Sequence, residues 1–271
     1  MNLEQTYKFW LQSKDDLSLS SIQYYNTKYS TLKQYLGATT VMESITPDSV
    51  DSYIQVRQLK EACRNTITKE LGLLTALLYF AKRKGWYSGD LNILKPKGFG
   101  SKYNPKTRVL TNEEVAQLPQ MFRPEYLKQL YFILGTGARL GEVRSARVGD
   151  VRKETVLLRG TKTALAYREI PILDSTRRLI EVASDISSTT LGNTMFLPWP
   201  GIHCSINDAC AKYGMPHFSP NDLRRTFATR LVEKSGNLYA VSKMLGHANT
   251  AMVQKVYGRP DAKALGELLN G

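Results

Sequence analysis

Several side chains that interrupt the apolar patterns of the chain are of the types that phosphoryl transfer requires. They are Arg139, Lys162, Arg224, His247 and Tyr257. Two arginines can clamp a phosphate bidentately, a lysine or histidine can supply a proton, and a tyrosine hydroxyl can attack the phosphorus. An unperturbed tyrosine has a pKa of about 10, which neighbouring positive charge lowers. Because no paired acids that could hold a metal stand beside them, these residues predict phosphate chemistry carried by the side chains alone.

The local sequence around these residues suits that use. Arg139 follows the apolar helix and glycine turn of FILGTGA, and Glu142, three residues on, is placed to brace it. Lys162 lies at the turn of a predicted hairpin, from which a long amine can reach outward. Arg224 and Arg225 stand early in DLRRTFATRLVEK, but adjacent helix positions point in different directions. Arg225 is therefore interpreted as a contact to the DNA backbone or a structural residue.

About the first 90 residues have the periodicity of helices. Apolar residues recur at steps of three to four in SSIQYYNTKYSTLKQYLG and NTITKELGLLTALLYFAKRKG, which end at Gly37 and Gly85. The segment TPDSVDSYIQVRQ between them begins with a Thr-Pro-Asp helix start. We predict a helical bundle over residues 1–92, with its lysines and arginines on the outside.

The helical periodicity stops over residues 93–108, ILKPKGFGSKYNPKTR, where prolines, glycines and basic residues occur without an acid. This composition predicts an interdomain linker, with Lys95, Lys97 and Lys102 as candidate contacts to DNA phosphates. Beyond it, PEYLKQLYFILGTGARLGEVRSA predicts a long helix interrupted by glycines, and ETVLLRGTKTALAYREIPIL predicts a strand, a turn and a strand. We therefore expect a mainly α fold of two domains, the second over residues 109–271 with a small antiparallel sheet.

The charge of the chain favours a polyanionic partner, double-stranded DNA. Lysine and arginine total 37 against 24 acids, a net charge of +13, and such an excess favours phosphate binding with release of counterions. No apolar run approaches the ~20 residues that span a bilayer, and the N-terminus lacks an export signal pattern. The three cysteines, Cys63, Cys204 and Cys210, fit a reducing compartment. We expect a cytoplasmic, nucleoid-associated protein without membrane contacts.

Five motifs, taken in order, resemble the tyrosine recombinase (phage integrase) family. They are TGARLGEV with ARVGDV, GTK with REIPI, SPNDLRRTFATRL, MLGH, and the closing Tyr257. The first half is similar to the helical core-binding domain of that family, so the resemblance covers almost the whole chain. It implies a minimal, Xer-like or simple integrase that closes as a C-shaped clamp around a specific DNA site.

The resemblance implies a role for each residue that matches a family motif. Arg139 and Arg224 resemble the two arginines that clamp the phosphate, and Glu142 resembles the acid that braces the first of them. His247 is similar to the third-box histidine, a further phosphate donor and proton carrier.

Two matching residues would carry the bond-making steps. Lys162 resembles the hairpin lysine that protonates the leaving 5′ oxygen, and Tyr257 corresponds to the nucleophile, which implies a 3′-phosphotyrosyl intermediate. Because that linkage conserves the energy of the phosphodiester, the resemblance implies neither ATP nor a metal as cofactor.

The sequence departs from the family pattern at two places. The family usually has His-x-x-Arg where this chain has Asn221-Asp222-Leu223-Arg224. An asparagine can donate a hydrogen bond but cannot act as a general base near neutral pH, so cleavage could be slower. The step of ten residues from His247 to Tyr257 is about one longer than the family spacing. The loop around residues 249–250 must absorb the extra residue.

The C-terminal segment PDAKALGELLNG, residues 260–271, has an apolar side that predicts a short helix. It could pack on its own domain. The family resemblance implies instead that such a tail docks into a neighbouring subunit, which would give a homotetramer on DNA.

Other interpretations of these residues remain open from the sequence. The chain could be a catalytically silent architectural DNA-binding protein, or a nicking-closing enzyme like the type IB topoisomerases. Lys153 competes with Lys162, and Tyr213 and Tyr239 compete with Tyr257, although helical packing is the simpler role for both. A further set of residues, His203, Cys204, Cys210 and His217, could suggest zinc, but their spacing matches no standard finger.

Overall fold

Helices make up the first part of the chain, as its apolar periodicity predicts. The computed structural model describes residues 1–91, 96, 99–100, 107–160, 167–185 and 193–246. The chain divides into two units, residues 1–104 and 105–271. The predicted linker, 93–108, lies mostly outside the described residues, so its limits stay a prediction. The α-helices described in the first unit are α1 (Leu3–Gln12), α2 (Leu19–Leu36), α3 (Pro47–Leu59) and α4 (Arg64–Arg83).

The ends of these helices are set by local capping. The Ser18 side chain accepts a hydrogen bond from the Ser21 amide at the start of α2, and α2 ends at Gly37, as predicted. Thr46 and Ser49 form a reciprocal capping box before α3, and Pro47 is its first residue. Each such cap satisfies backbone groups that a helix end leaves without partners and stabilises it by about 1 kcal/mol.

The core of the first unit lies along α4. Leu71, Leu74 and Leu78 are at most 1% exposed, and burying each contributes about 1.5–3 kcal/mol. One carboxylate is also buried on this helix. Glu70 accepts two hydrogen bonds of 3.0 Å from Arg57 and one of 2.8 Å from the Tyr53 hydroxyl.

The second unit is also mainly helical, which confirms the predicted fold class. Helices α5 to α7 precede a two-stranded antiparallel sheet, and four more helices follow it within the described residues. Their ranges are α5 (Asn112–Met121), α6 (Pro124–Thr136), α7 (Leu140–Ser145), β1 (Thr155–Arg159), β2 (Tyr167–Pro171), α8 (Asp174–Ser184), α9 (Ile202–Tyr213), α10 (Pro220–Ser235) and α11 (Leu238–Leu245).

The predicted long helix with glycine interruptions is two helices joined by a sharp turn. Helix α6 ends at Gly137, which has a φ of 64°, a conformation that side chains disfavour. A Cβ at Gly137 would lie 2.5 Å from Cδ1 of Phe227 and 2.9 Å from Cδ2 of Leu245. The glycine is therefore required both by the turn and by the close approach of α10 and α11, and the chain restarts as α7 immediately after Arg139.

The hairpin has the alternation expected of a strand pair with one face on the core. Val156 and Leu158 on β1 are buried, as is Ile170 on β2. The register pairs Val156 with Ile170 and Leu158 with Arg168, so Arg168 lies at an inward position. The turn, 161–166, which contains Lys162, is outside the described residues. No helix among the described residues is long and apolar enough to span a membrane.

Candidate functional site

Arg139 is held at the start of α7, directly after the glycine turn. Its backbone amide donates a 2.8 Å hydrogen bond to Oε2 of Glu142, and its Nη1 donates one of 3.1 Å to Oε1 of the same carboxylate. Its Nη2 lies 3.4 Å from the carbonyl oxygen of Gly246. Because the Arg139 side chain is 36% exposed, the guanidinium remains accessible from solvent while Glu142 orients it.

Arg224 approaches the same place from α10. The residue is only 8% exposed, and its guanidinium bridges two carbonyl oxygens. Nη1 donates to Gly137 and Nη2 donates to Leu245, each at 2.7 Å. The structure thus brings Arg139 and Arg224 together at the C-terminal end of α11. Helix C-termini carry partial negative charge on carbonyl groups without helical partners, which accounts for the attraction of both cations.

A third arginine at this place was missed by the sequence analysis. Arg168, on β2, donates from Nε to the carbonyl oxygen of Met244 at 2.7 Å. Its Nη1 and Nη2 donate to Oε1 and Oε2 of Glu142 at 2.9 and 3.3 Å. The signal that could have found it is its position two residues before Ile170, on the inward face of the strand, where a charged side chain needs a buried partner.

Glu142 is the shared acceptor of this cluster. It is 3% exposed and accepts hydrogen bonds from both Arg139 and Arg168. Burial alone would raise the pKa of the Glu142 carboxyl. Hydrogen bonds from Arg168 and from the Arg139 amide, with the charges of Arg168 and Arg224, outweigh burial and hold that pKa below its usual value.

The electrostatic balance of the cluster favours an anion. Among the described residues, the guanidinium groups of Arg139, Arg168 and Arg224 surround one carboxylate, that of Glu142. Positive groups therefore outnumber negative ones in the described part of the cluster, and the Arg139 guanidinium is accessible from solvent. A phosphate diester is the kind of anion that paired arginines bind best.

The two remaining described candidates lie on the first turns of α10. Asn221 is exposed, so its amide is accessible to a ligand. Arg225 forms an ion pair with Asp222, which is 2% exposed, and its Nη1 lies 3.4 Å from the carbonyl oxygen of Arg108. These contacts support the structural interpretation of Arg225, and its role as a DNA contact stays a prediction.

The other predicted site residues lie outside the described residues. They are Lys162, His247, Tyr257 and the linker lysines Lys95, Lys97 and Lys102, together with the tail 260–271. His247 is the residue that follows Gly246 in the chain. The segment that contains it and Tyr257 therefore begins where Arg139 and Arg224 meet α11.

The competing tyrosines and the cysteine-histidine set lie on α9, on α11 and in the segment between α9 and α10. The Tyr213 hydroxyl donates to the carbonyl oxygen of Gln120 at 2.7 Å, and Tyr239 is a 63% exposed residue of α11. Among the described residues, no three histidine, cysteine or acidic side chains are grouped as metal ligands. Cys210 is buried, which raises the pKa of its thiol, so packing accounts for it.

Comparison with known proteins identifies the group to which this arrangement belongs. The family model of the phage integrase family matches residues 108–263, more than half of the chain and nearly all of its second unit. The chain belongs to the phage integrase family. This confirms the predicted tyrosine site-specific recombinase, and the architectural and topoisomerase-like alternatives are not favoured.

Relatives of this recombinase extend the similarity over almost its whole length. It is 27% identical over 290 aligned positions to the tyrosine recombinase XerC of Vibrio parahaemolyticus, covering 98% of this chain and 90% of that protein. Two solved structures have the same fold. The Tn1549 transposon integrase (residues 82–397) in complex with circular intermediate DNA matches with a TM-score of 0.79 and 16% identity, covering 99% of both chains. A lambda integrase tetramer bound to a Holliday junction matches with a TM-score of 0.74 and 14% identity, covering 93% of this chain and 79% of that one.

Proposed function

We propose that this recombinase cuts and rejoins DNA strands through a 3′-phosphotyrosyl intermediate, with Tyr257 as the nucleophile. The observation that carries the proposal is the meeting of Arg139 and Arg224 at the last carbonyls of α11, one residue before His247. Two arginines from separate elements are thereby held at the end of α11, and His247 is the next residue of the chain. The excess of positive charge there suits a phosphodiester rather than a neutral substrate.

The proposed reaction exchanges one phosphate ester for another. The Tyr257 oxygen attacks the scissile phosphorus, its bond to phosphorus forms as the bond to the 5′ oxygen breaks, and the leaving oxygen takes up a proton. In the reverse step, a 5′ hydroxyl attacks the phosphotyrosine and releases the tyrosine. The number of ester bonds is unchanged, so the cycle consumes no ATP, and no metal is part of the proposal.

Each predicted residue has one task in this cycle. Arg139 and Arg224 neutralise the nonbridging oxygens as charge accumulates in the transition state. Lys162 protonates the leaving 5′ oxygen, and His247 donates to the phosphate. Removing any one such donor typically costs about 10²–10³ in rate.

Asn221 has a smaller task than the histidine usual at this position. Its exposed amide can donate to a nonbridging oxygen but cannot take the tyrosine proton at neutral pH. Deprotonation of Tyr257 then depends on the surrounding positive charge, which lowers its pKa, and on His247 or water as the proton acceptor.

Double-stranded DNA is the proposed partner, and a tetramer the proposed assembly. The net charge of +13 and the DNA bound in the solved integrases of the same fold support DNA binding. The lambda integrase tetramer on a Holliday junction supports the assembly, with residues 260–271 as the segment exchanged between subunits. We place the protein in the cytoplasm, on the nucleoid.

Trapping of a covalent adduct tests this function directly. The protein is incubated, without metal or ATP, with fragmented DNA from its native genetic locus, and SDS-resistant, protease-sensitive complexes are recovered and sequenced. Wild type should yield an adduct, and Tyr257→Phe should bind the DNA without one. An adduct that persists in Tyr257→Phe identifies a different nucleophile, and no adduct from DNA-bound wild type overturns the proposal.

Strand exchange separates recombination from nicking and closing. Two duplexes with the trapped sequence and different end labels are mixed with the protein. A recombinase joins the labels in one product, whereas a topoisomerase-like enzyme reseals each duplex with its own label. Deletion of residues 260–271 should abolish the tetramer on DNA, and unchanged assembly would exclude tail exchange.

A further inference from the structure

Arg168 occupies a position that strand alternation would assign to an apolar side chain. It points inward beside Ile170 on β2, and its side chain is 9% exposed. An inward charge is costly unless a partner compensates it. Arg168 meets this condition through two hydrogen bonds to Glu142 and one to the Met244 carbonyl. The buried guanidinium of Arg168 therefore holds in place the carboxylate that orients Arg139.

The negative charge of Glu142 weakens phosphate binding by Arg139 unless a second cation also neutralises the carboxylate. A carboxylate paired with Arg139 alone would neutralise that guanidinium and weaken its attraction for a phosphate. Arg168 also binds Glu142, donating to the same two carboxylate oxygens that accept from Arg139, so the negative charge is shared between two guanidinium groups. Glu142 can then orient Arg139 by hydrogen bonds while Arg139 keeps its charge.

Arg168 also connects elements that contribute to the same site. Its strand follows the turn that contains Lys162, its carboxylate partner lies on α7 beside Arg139, and its Nε bonds to Met244 in the last turn of α11. Three consecutive carbonyls, those of Met244 and Leu245 in α11 and of its C-cap residue Gly246, thereby accept from Arg168, Arg224 and Arg139.

We propose that Arg168 is a positioning residue of the recombination site. It neutralises Glu142 so that the charge of Arg139 stays available to the scissile phosphate, and it anchors the end of α11 from which residue 247 continues. The inference rests on the proposed function, because its readout is the rate at which the phosphotyrosyl bond forms.

Four variants separate this electrostatic task from a structural one. They are Arg168→Lys, Arg168→Met, Glu142→Gln, and the double variant Arg168→Met/Glu142→Gln. The rate of adduct formation is measured in a single turnover at saturating protein. The substrate is a duplex of the sequence trapped by wild type, nicked beside the scissile bond so that religation is prevented. A second duplex has an uncharged methylphosphonate at the scissile position.

We expect the second substitution to restore much of the rate of adduct formation that the first one loses. Arg168→Met should slow adduct formation about 100-fold, the size of effect that loss of a transition-state donor produces. The cause is that the Glu142 carboxylate, without Arg168, neutralises the guanidinium of Arg139. Glu142→Gln in that background removes the carboxylate charge and should restore the rate by roughly tenfold or more, a coupling typical of residues in contact. Arg168→Lys keeps a positive charge and should lose less than Arg168→Met.

The methylphosphonate duplex gives a second, independent readout. Since its scissile group carries no negative charge, it depends less on the charge of Arg139, and the deficit of Arg168→Met should shrink to a few-fold. A residue that served only to hold the fold would slow cleavage of both substrates equally.

Arg57→Met is the matched control for stability. Arg57 also makes two hydrogen bonds to a buried carboxylate, Glu70, but in the first unit. The variant should lower the unfolding temperature while leaving the rate of adduct formation per bound DNA unchanged.

Two outcomes would overturn the inference while wild type still forms the adduct. One is a wild-type rate for Arg168→Met. The other is a double variant as slow as Arg168→Met on both substrates, whether or not the single variant is destabilised. Absence of an adduct from wild type would instead overturn the proposed function itself.

Discussion

The guanidinium of Arg224 donates a 2.7 Å hydrogen bond to the carbonyl oxygen of Leu245, which is on a different helix. The same group donates to Gly137 at 2.7 Å, in the turn that precedes Arg139. A single buried cation therefore joins the turn between α6 and α7 to the end of α11. These two hydrogen bonds need the fork geometry of a guanidinium. The same side chain therefore stabilises the second unit and is predicted to bind the phosphate.

The fork geometry predicts that Arg224→Lys will not substitute for arginine. A lysine ammonium is a compact charge that cannot span the Gly137 and Leu245 carbonyls in the same plane. We expect adduct formation to fall by about 10²–10³ and the unfolding temperature to decrease. Arg230→Lys, on the same helix, is the control because its hydrogen bonds are to Leu110 and Asn112. Equal rates for the two variants would contradict the prediction.

The close approach at Gly137 predicts a large loss of stability in Gly137→Ala. The new methyl group would meet Phe227 at 2.5 Å, which adds about 1–3 kcal/mol of overpacking to the strain of a positive φ. Gly214→Ala isolates the strain, because Gly214 also ends a helix with a φ of 64° but has open space around it. That control should cost about 1–2 kcal/mol. Urea unfolding of both variants measures the difference, and equal losses would exclude the steric contribution.

The lowered pKa of Glu142 predicts how its contribution to stability depends on pH. A carboxyl whose pKa is lower in the folded state stabilises the fold above its unfolded-state pKa, near 4.5, and loses that contribution as pH falls through the folded-state value. Glu142→Gln should therefore cost about 1.5–3 kcal/mol at pH 7, and the cost should shrink as the pH is lowered below 4.5. Urea unfolding at pH 7 and at pH 3.5 measures it.

A nearby exposed acid provides the control for that pH dependence. Glu169 pairs with Arg152 on the surface, where its side chain is 43% exposed, and such pairs contribute about 0–1 kcal/mol. Glu169→Gln should have little effect on stability at either pH. A pH-independent cost for Glu142→Gln would mean that its charge has no part in the stability of the fold.

The basic linker predicts part of the salt dependence of DNA binding. Replacing Lys95, Lys97 and Lys102 with glutamine should reduce the slope of log affinity against log salt by about 3, one for each lost phosphate contact. Arg57→Gln should leave that slope unchanged, since its guanidinium is paired with the buried carboxylate of Glu70. Binding titrations with locus DNA between about 50 and 200 mM salt measure both slopes. An unchanged slope in the triple variant would remove the linker from the DNA interface.

Much of the secondary structure could be predicted because its signals are local. The serine before α2, the Thr-Pro start of α3 and the glycine after α2 act within one helical turn, so a single sequence contains them. The break at Gly137 was predicted as a glycine interruption of one long helix, whereas the structure has two helices there, α6 and α7. Local signals are sufficient wherever the partner of a backbone group is a few residues away.

The arrangement around Glu142 depends on contacts that sequence periodicity does not contain. Arg168 is 26 residues from Glu142 and 76 from Met244 along the chain, and no spacing rule connects them. The pairing of Arg139 with Glu142 was predicted because the two are three residues apart. The resemblance to the phage integrases led to Arg224, but only the fold reveals that its partners are the carbonyls of Gly137 and Leu245.

Three successive carbonyls at the end of α11 each receive a guanidinium from a different element. Inserting or deleting one residue within 238–243 would turn every later carbonyl of the helix by about 100° and break all three hydrogen bonds together. The length of this part of the chain is therefore not free to vary among relatives with the same arginines. A change in length after Gly246 leaves these carbonyls in place, and the predicted His247–Tyr257 step there is about one residue longer than the family spacing. An insertion before Met244 should therefore abolish the three hydrogen bonds, whereas an insertion after Gly246 should leave them intact.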